Sequence, residues 1–278
     1  MKLVYFGTPA AAVPPLEALA AAGHEIALVV TQPDRRRGRG SGLVPSPVKA
    51  AAEALGLPIV TPEKSGEIVD EVRALQADLG VVVAFGQLLP QALLDAIPGG
   101  LVNVHFSLLP RWRGAAPVER AILADDRETG VCIMGVELAL DAGPVYAREV
   151  LTIAPTETAG ELHGRLAAAG TELLVRTVPR VAEVEPEPQR GDAVYAEKLT
   201  VDEFELDLNR PPAELVRLVR AANPRPGAWL EIAGARCKVW TAHVEGDRFV
   251  PDEIQPAGKA RMAYTAWRTG HRDADPFA

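Results

Sequence analysis

Asn103, His105 and Ser107 occupy every second position in the run VNVHFSLLP, Val102–Pro110. Side chains alternate across a strand, so these three share one face, each about 7 Å from the next. Polar groups at the end of an apolar strand must be hydrogen-bonded or stand in a wet cleft. Asp141, in the turn-forming sequence Asp141-Ala142-Gly143-Pro144, could bring a carboxylate. An amide, an imidazole and a carboxylate suit a tetrahedral intermediate. The first two hold its oxyanion, while the third orients the imidazole and handles a proton. The same residues also admit structural readings: a hydrogen-bonded core histidine, and an aspartate bonded to its own turn. Other chemistries find less support. Ser107 is not on a G-x-S-x-G turn, which excludes the usual serine-hydrolase arrangement. The first strand ends in Gly7-Thr8-Pro9 and no phosphate-binding glycine motif occurs, so nicotinamide or nucleoside-triphosphate binding has no motif behind it. Cys132 and Cys237 are too few for a disulfide framework or a four-thiolate zinc site.

A second group of residues could meet an anion. Arg35, Arg36, Arg37 and Arg39 crowd the loop Asp34–Gly42, with glycines at 38, 40 and 42. The loop is either a solvated basic surface or an arm for phosphates and unpaired bases. The formal net charge of -8 excludes a general polyanion binder. Residues 205–278 carry 11 Lys or Arg against 10 Asp or Glu, while the rest carries 18 against 27. A nucleic acid would therefore be met by local patches.

The elements that must position these residues follow a strand–helix alternation. Apolar runs at 2–7, 26–31, 57–61, 79–85 and 101–107 read as strands, with helical patterns between them. Continuous rather than alternating apolar runs predict parallel strands buried on both faces. The fold class expected is α/β: a Rossmann-like, mostly parallel sheet with helices on both faces, followed by a small β-rich domain. Helices are expected at 88–96 and 158–181, and an antiparallel pair at 130–140 and 145–153. The polar, proline-rich stretch 183–192 reads as a linker. Expected domains are 1–183, a linker at 184–204, and 205–278. Trp229–Ile232 and Cys237–Ala242 read as strands of the second domain, and the tail from Asp247 carries no clear pattern. The chain is long enough to bury a core without staples. With no long apolar segment, a cytoplasmic protein without membrane contact is expected.

The segment NVHFSLLPRWRGAAPVERAILADDRETGVCIM, with ALDAGPV after it, resembles the folate-dependent formyltransferases. Their Asn-x-His pattern with a distant Asp is matched by Asn103, His105 and Asp141. Phe6–Pro9, Thr31–Asp34, Pro45–Lys49, Arg111–Pro117, Tyr195–Leu199 and Asn223-Pro224 with Trp229–Glu231 narrow the resemblance to the methionyl-tRNA formyltransferases. The likeness runs from residue 3 to about 242. It implies transfer of the formyl group of 10-formyltetrahydrofolate to the amine of methionine on initiator methionyl-tRNA. It also implies roles: Asn103 and His105 on the oxyanion, and Asp141 fixing His105 and relaying the amine proton. The folate site would be lined by Ser107, Leu108, Leu109 and Pro110 and by the backbone of Phe85, Gly86, Gln87, Leu88 and Leu89. Arg35, Arg36, Arg37, Arg39 (singled out by family likeness) and Lys198 would meet tRNA. No metal is required, and a monomer is expected. The second domain would correspond to a reduced oligonucleotide-binding-type barrel.

Two positions depart from the family pattern. Phe106 stands where a small residue is usual, and by alternation its ring should face away from His105. A stretch of strand is expected to be missing between Thr241 and Pro256. Two other readings stay open, a sugar-nucleotide amine formyltransferase and an RNA-binding relative with impaired catalysis. Trp112 and Trp229 read as core residues or base-stacking platforms. His24, His163, His243 and His271 have no sequence neighbours that suggest a site.

Overall fold

The computed structural model describes residues 1–36, 42–271 and 275–277. These form two compact units: Met1–Arg113, Gly130–Leu151 and Gly164–Tyr195 make the first, and Gly114–Thr129, Thr152–His163 and Ala196–Ala278 the second. Among the described residues no helix is long and apolar enough to cross a membrane.

The first unit is built on a seven-stranded sheet. Its strands are β1 (Lys2–Gly7), β2 (Glu25–Val30), β3 (Ile59–Val60), β4 (Leu79–Val83), β5 (Leu101–His105), β6 (Glu128–Gly135) and β7 (Val145–Thr152). Their order is β7-β6-β5-β4-β1-β2-β3. All neighbours from β5 to β3 pair in parallel, and β6 runs antiparallel to β5. Helices α1 (Val13–Ala21), α2 (Pro47–Ala54), α3 (Val69–Leu75) and α4 (Gln91–Leu94) lie in the crossovers. Local chemistry sets their starts. Ser46 accepts the Lys49 N–H at 2.9 Å, and Pro47 fills the first position of α2. The apolar runs are buried as their composition demands: Leu3, Val4, Tyr5, Phe6, Val29, Val30, Val81 and Val83 are closed to solvent. Strand order reverses between β1 and β4, the point at which sheets of this kind place ligands beyond their carboxyl ends.

Several expected elements differ in extent. The helix expected at 88–96 is only Gln91–Leu94, because Pro90 fixes its start and the chain turns at 95. The strand expected at 130–140 stops at Gly135, whose N–H bonds the Pro144 carbonyl at 2.8 Å, so 136–143 leave as a loop. The helix expected at 158–181 is α6, Ala159–Thr177, followed by a 3-10 turn. Thr158 and Glu161 begin it with reciprocal bonds, Thr158 N–H to Glu161 at 2.8 Å and Glu161 N–H to Thr158 at 3.3 Å.

The second unit contains α5 (Pro117–Leu123), α7 (Pro212–Ala222) and a four-stranded antiparallel sheet. Its strands β8 (Ala228–Ile232), β9 (Ala235–Glu245), β10 (Arg248–Pro256) and β11 (Met262–Ala263) follow one another in sequence and in space. The stretch from Thr241 to Pro256 is a continuous hairpin. The described residues of the tail that carries no pattern in sequence form β10, β11, α8 (Tyr264–Thr269) and an aromatic cluster. Tyr264 and Phe277 meet edge-on at 5.5 Å, and the Tyr264 hydroxyl donates to Asp275 at 2.6 Å. Trp229 and Trp240 are buried, with Arg236 at 3.7 Å and Arg261 at 3.6 Å over their rings.

Candidate active site

Strand β5 presents Asn103 and His105 on one face at its carboxyl end. Antiparallel pairing with β6 sets Asn103 opposite Met134 and His105 opposite Cys132. Among the described residues none hydrogen-bonds the half-buried Asn103 carboxamide, so its N–H groups stay available to a ligand. Burial pushes the Cys132 thiol up, against smaller opposing effects of the Leu109 backbone and Arg148.

His105 is buried and both ring nitrogens have neighbours. Nε2 lies 2.8 Å from the Trp112 carbonyl oxygen. A carbonyl only accepts, so this contact puts a proton on Nε2. Nδ1 faces the Asp141 carboxylate at 3.7 Å, with the two side chains only 6% and 15% exposed. That separation leaves room for adjustment when a substrate arrives. The sequence carries no sign of the Trp112 contact. Trp112 adopts φ 62, a left-handed conformation uncommon for a bulky residue, and this turns its carbonyl toward the histidine. The Arg111 guanidinium covers the Trp112 ring at 4.4 Å.

Asp141 sits at φ 49, a conformation that Asp and Asn tolerate better than most residues. Its loop is gripped at both ends. A methyl at Gly143 would overlap the Gly135 carbonyl oxygen, so glycine is required where the loop returns to the sheet. The Gln189 amide donates at 2.8 Å to the Asp141 carbonyl and at 2.8 Å to the Gly143 carbonyl. Gln189 comes from the stretch whose composition reads as a linker. That stretch is anchored in the first unit by paired backbone bonds between Glu187 and Val145 at 2.8 and 2.9 Å.

The other expected site residues fall in several places. Ser107 lies just beyond the strand and fully buried, and its hydroxyl donates to the Arg111 carbonyl at 2.6 Å. Leu109 packs with Cys132, Met134 and Val145, whereas Leu108 and Pro110 are half-buried. The Phe85 ring packs edge-on against Phe6 at 5.6 Å, and its carbonyl accepts from Thr8 at 2.8 Å and Gln32 at 2.9 Å. Those two bonds tie the ends of β1, β2 and β4 together around the switch point. Leu89 packs on the core, Gln87 donates to the Pro62 carbonyl at 3.2 Å, and Gly86 and Leu88 face solvent. Arg35 and Arg36 are exposed and pair with Val44 and Leu43 in a short antiparallel ladder. The base of that ladder is pinned by Lys49 and Asp34 at 2.8 Å, and this hydrogen bond holds the Lys49 ammonium above its ordinary range. Arg37 and Arg39 lie outside the described residues. Lys198 is exposed on the second unit. Phe106 lies with Val104 on the α6 side, where a methyl at Gly170 would approach its ring edge to 3.5 Å. Trp229 is a buried residue of the second unit, whose indole N–H donates to the Val201 carbonyl at 2.9 Å. His163 and His243, for which the sequence suggests no neighbours, pair with Glu119 at 3.1 Å and Asp252 at 2.9 Å.

Residues 1–178 match the family described as formyl transferase, and residues 198–251 match the formyl transferase C-terminal domain. The chain belongs to the formyltransferase family. Two relatives within it are named methionyl-tRNA formyltransferase. The one from Dinoroseobacter shibae is 54% identical over 242 residues, 86% of this chain and 81% of its own. The one from Roseobacter denitrificans is 49% identical over 258 residues, 92% of this chain and 85% of its own. Among solved structures, the fold is similar to an N-formyltransferase from Helicobacter canadensis, described in complex with folinic acid and dTDP-3-aminofucose. That likeness has a TM-score of 0.66 at 17% identity and covers 95% of this chain and 98% of the other. Within this formyltransferase, Asn103, His105 and Asp141 fall inside the first matched segment, while Gln189 lies between the two.

Proposed function

We propose that this chain moves the formyl group of 10-formyltetrahydrofolate to the amine of methionine on initiator methionyl-tRNA, as a cytoplasmic step of translation initiation. The observation that carries the chemistry is the convergence of a buried imidazole, locked by Trp112, with the Asp141 carboxylate, beside a strand position whose amide has no partner among the described residues. The substrate is supported by the relatives' names at 49 and 54% identity over most of the chain.

The reaction needs three things from the protein. The formyl carbon must be held before a neutral amine, the oxyanion that forms on attack must meet donors, and a proton must travel from the attacking nitrogen to the leaving one. Asn103 supplies N–H donors where charge develops, an effect of about 10²–10³ in rate for a well-placed group. Because the Trp112 carbonyl occupies Nε2, His105 meets the reaction only through Nδ1. In the neutral ring Nδ1 is the basic nitrogen, able to take the amine proton. Once protonated, it donates toward the oxyanion while Asp141 stabilises the imidazolium. The proton then passes to the departing folate nitrogen as the intermediate collapses. Main-chain groups of the half-buried Leu108 and Pro110, with the exposed Gly86 and Leu88, would receive the pterin, a planar group with an amide-like rim. The exposed Arg35 and Arg36, with Arg37 and Arg39 in the same loop, would meet tRNA phosphates and unpaired bases. Lys198 would add a weaker contact.

A second reading, transfer to a sugar-nucleotide amine, is favoured by one observation: the Helicobacter canadensis enzyme, solved with an amino-sugar nucleotide, shares the fold over most of both chains. Incubating the protein with 10-formyltetrahydrofolate and either methionyl-tRNA or dTDP-3-aminofucose separates the two. Formyl transfer to methionyl-tRNA alone supports the proposal. Transfer to the sugar alone overturns it.

A further inference from the structure

We infer that Gln189 is a positioning residue for the proposed reaction, holding the two shoulders of the site, Trp112-Arg113 and Asp141–Gly143, in fixed register. The inference rests on the functional reading above, and on bonds that use every polar valence of one side chain. The Gln189 amide nitrogen donates to the Asp141 and Gly143 carbonyls, both at 2.8 Å. Its oxygen accepts the Arg113 guanidinium through Nε at 3.0 Å and Nη2 at 2.6 Å. A primary amide has two donors and can accept twice, so the group is saturated.

The two sides of this clamp are the two sides of the catalytic pair. Arg113 directly follows Trp112, whose carbonyl fixes the His105 ring. The Arg113 N–H is itself held by the Val194 carbonyl at 2.9 Å. Opposite, Asp141 carries the carboxylate that faces Nδ1 at 3.7 Å. A loop residue in a left-handed conformation has little intrinsic preference for its place, so its position must be imposed from outside. Only an amide can do so here. A carboxylate at 189 would accept Arg113 but turn lone pairs on both carbonyls, and an aliphatic group would leave all of these polar atoms unmatched.

Displacements of about 1 Å at groups of this kind cost on the order of 100-fold in rate. The test is single-turnover and steady-state formylation of methionyl-tRNA by the full chain and by Gln189→Glu, Gln189→Leu and Asp141→Asn, alone and combined. Activity of the parent chain is measured first, and its absence would count against the functional reading rather than the clamp. Given an active parent, kcat of Gln189→Glu should fall about 10- to 100-fold with KM for donor and tRNA changed less than about threefold. In the Asp141→Asn background the same change should cost much less, because the part of its effect delivered through Asp141 is already lost. A merely structural role would lower both proteins alike. Should the Gln189 variants fail to fold, Arg113→Lys, which keeps the charge but loses the fork, gives the same comparison. Near-parental kcat in Gln189→Glu, or a loss that multiplies fully with Asp141→Asn, overturns the inference.

Discussion

Replacing Asp141 by Asn probes the chemistry with little change of shape. Asn fits the left-handed φ of 49 as readily as Asp, so the loop should keep its path, whereas Ala would add backbone strain to the lost charge. The carboxylate faces His105 Nδ1 at 3.7 Å, both side chains being mostly buried. For an imidazolium and a carboxylate at that distance, an effective dielectric of about 20 gives an attraction of about 4 kcal/mol. If that attraction is present when His105 holds the amine proton and absent from the ground state, its loss corresponds to about 10³ in rate. The figure falls within the range of about 10²–10⁴ for general acid–base groups. The assay is rapid-quench single-turnover transfer of labelled formyl from 10-formyltetrahydrofolate to methionyl-tRNA, with donor affinity measured separately. A rate within about fivefold of the parent, given intact donor binding, would refute the assigned role of the pair.

Gly143→Ala should cost about 1–3 kcal/mol of stability and most of the activity, since its methyl would overlap the Gly135 carbonyl oxygen; thermal melting and the same assay report both. Alkali should weaken the second unit. Burial pushes the Cys237 thiol from 9.0 up to about 11, and burial with the Asp275 hydrogen bond pushes the Tyr264 phenol from 10.0 up to about 12. Both groups favour folding in their neutral forms, so this contribution is complete below about pH 9 and fades as pH rises through 11 and 12. The urea midpoint followed by tryptophan fluorescence should accordingly fall between pH 8 and 11, and by less in Tyr264→Phe; an unchanged midpoint contradicts the assignment. Replacing Arg35 and Arg36 together by Ala should weaken tRNA binding and flatten its salt dependence by about 0.7–0.9 per lost phosphate contact, measured by filter binding across salt concentrations.

The parts of this molecule that could be read from residues alone are those governed by burial. Strands β1, β2, β4 and β5 announce themselves because both of their faces are covered, so nearly every position must be apolar. Asn103 and His105 stand out for the same reason, as polar groups where the sheet has no use for them. Conditions set by backbone path and by distant partners leave no such trace. Leu138 and Leu140 continue the apolar run of β6, yet both are exposed, because Gly135 already turns back to Pro144. Nothing in the letters of RWRG indicates that Trp112 takes a left-handed φ and offers its carbonyl to His105. The stretch 183–192 has the composition of a linker, and Gln189 works there through two backbone carbonyls, which have no residue identity to match, and through a guanidinium far away in sequence. The tail from Asp247 hides its pattern because Phe249, Ile254, Tyr264 and Trp267, the residues it buries, are widely spaced among polar ones.

The central claim is that His105, held by Trp112 and faced by Asp141, runs proton traffic during formyl transfer to methionyl-tRNA. It is tested most directly by the single-turnover rate of His105→Ala. A fall of about 10²–10⁴-fold with donor and tRNA binding retained is the expected result. Formylation at the parental rate would contradict it.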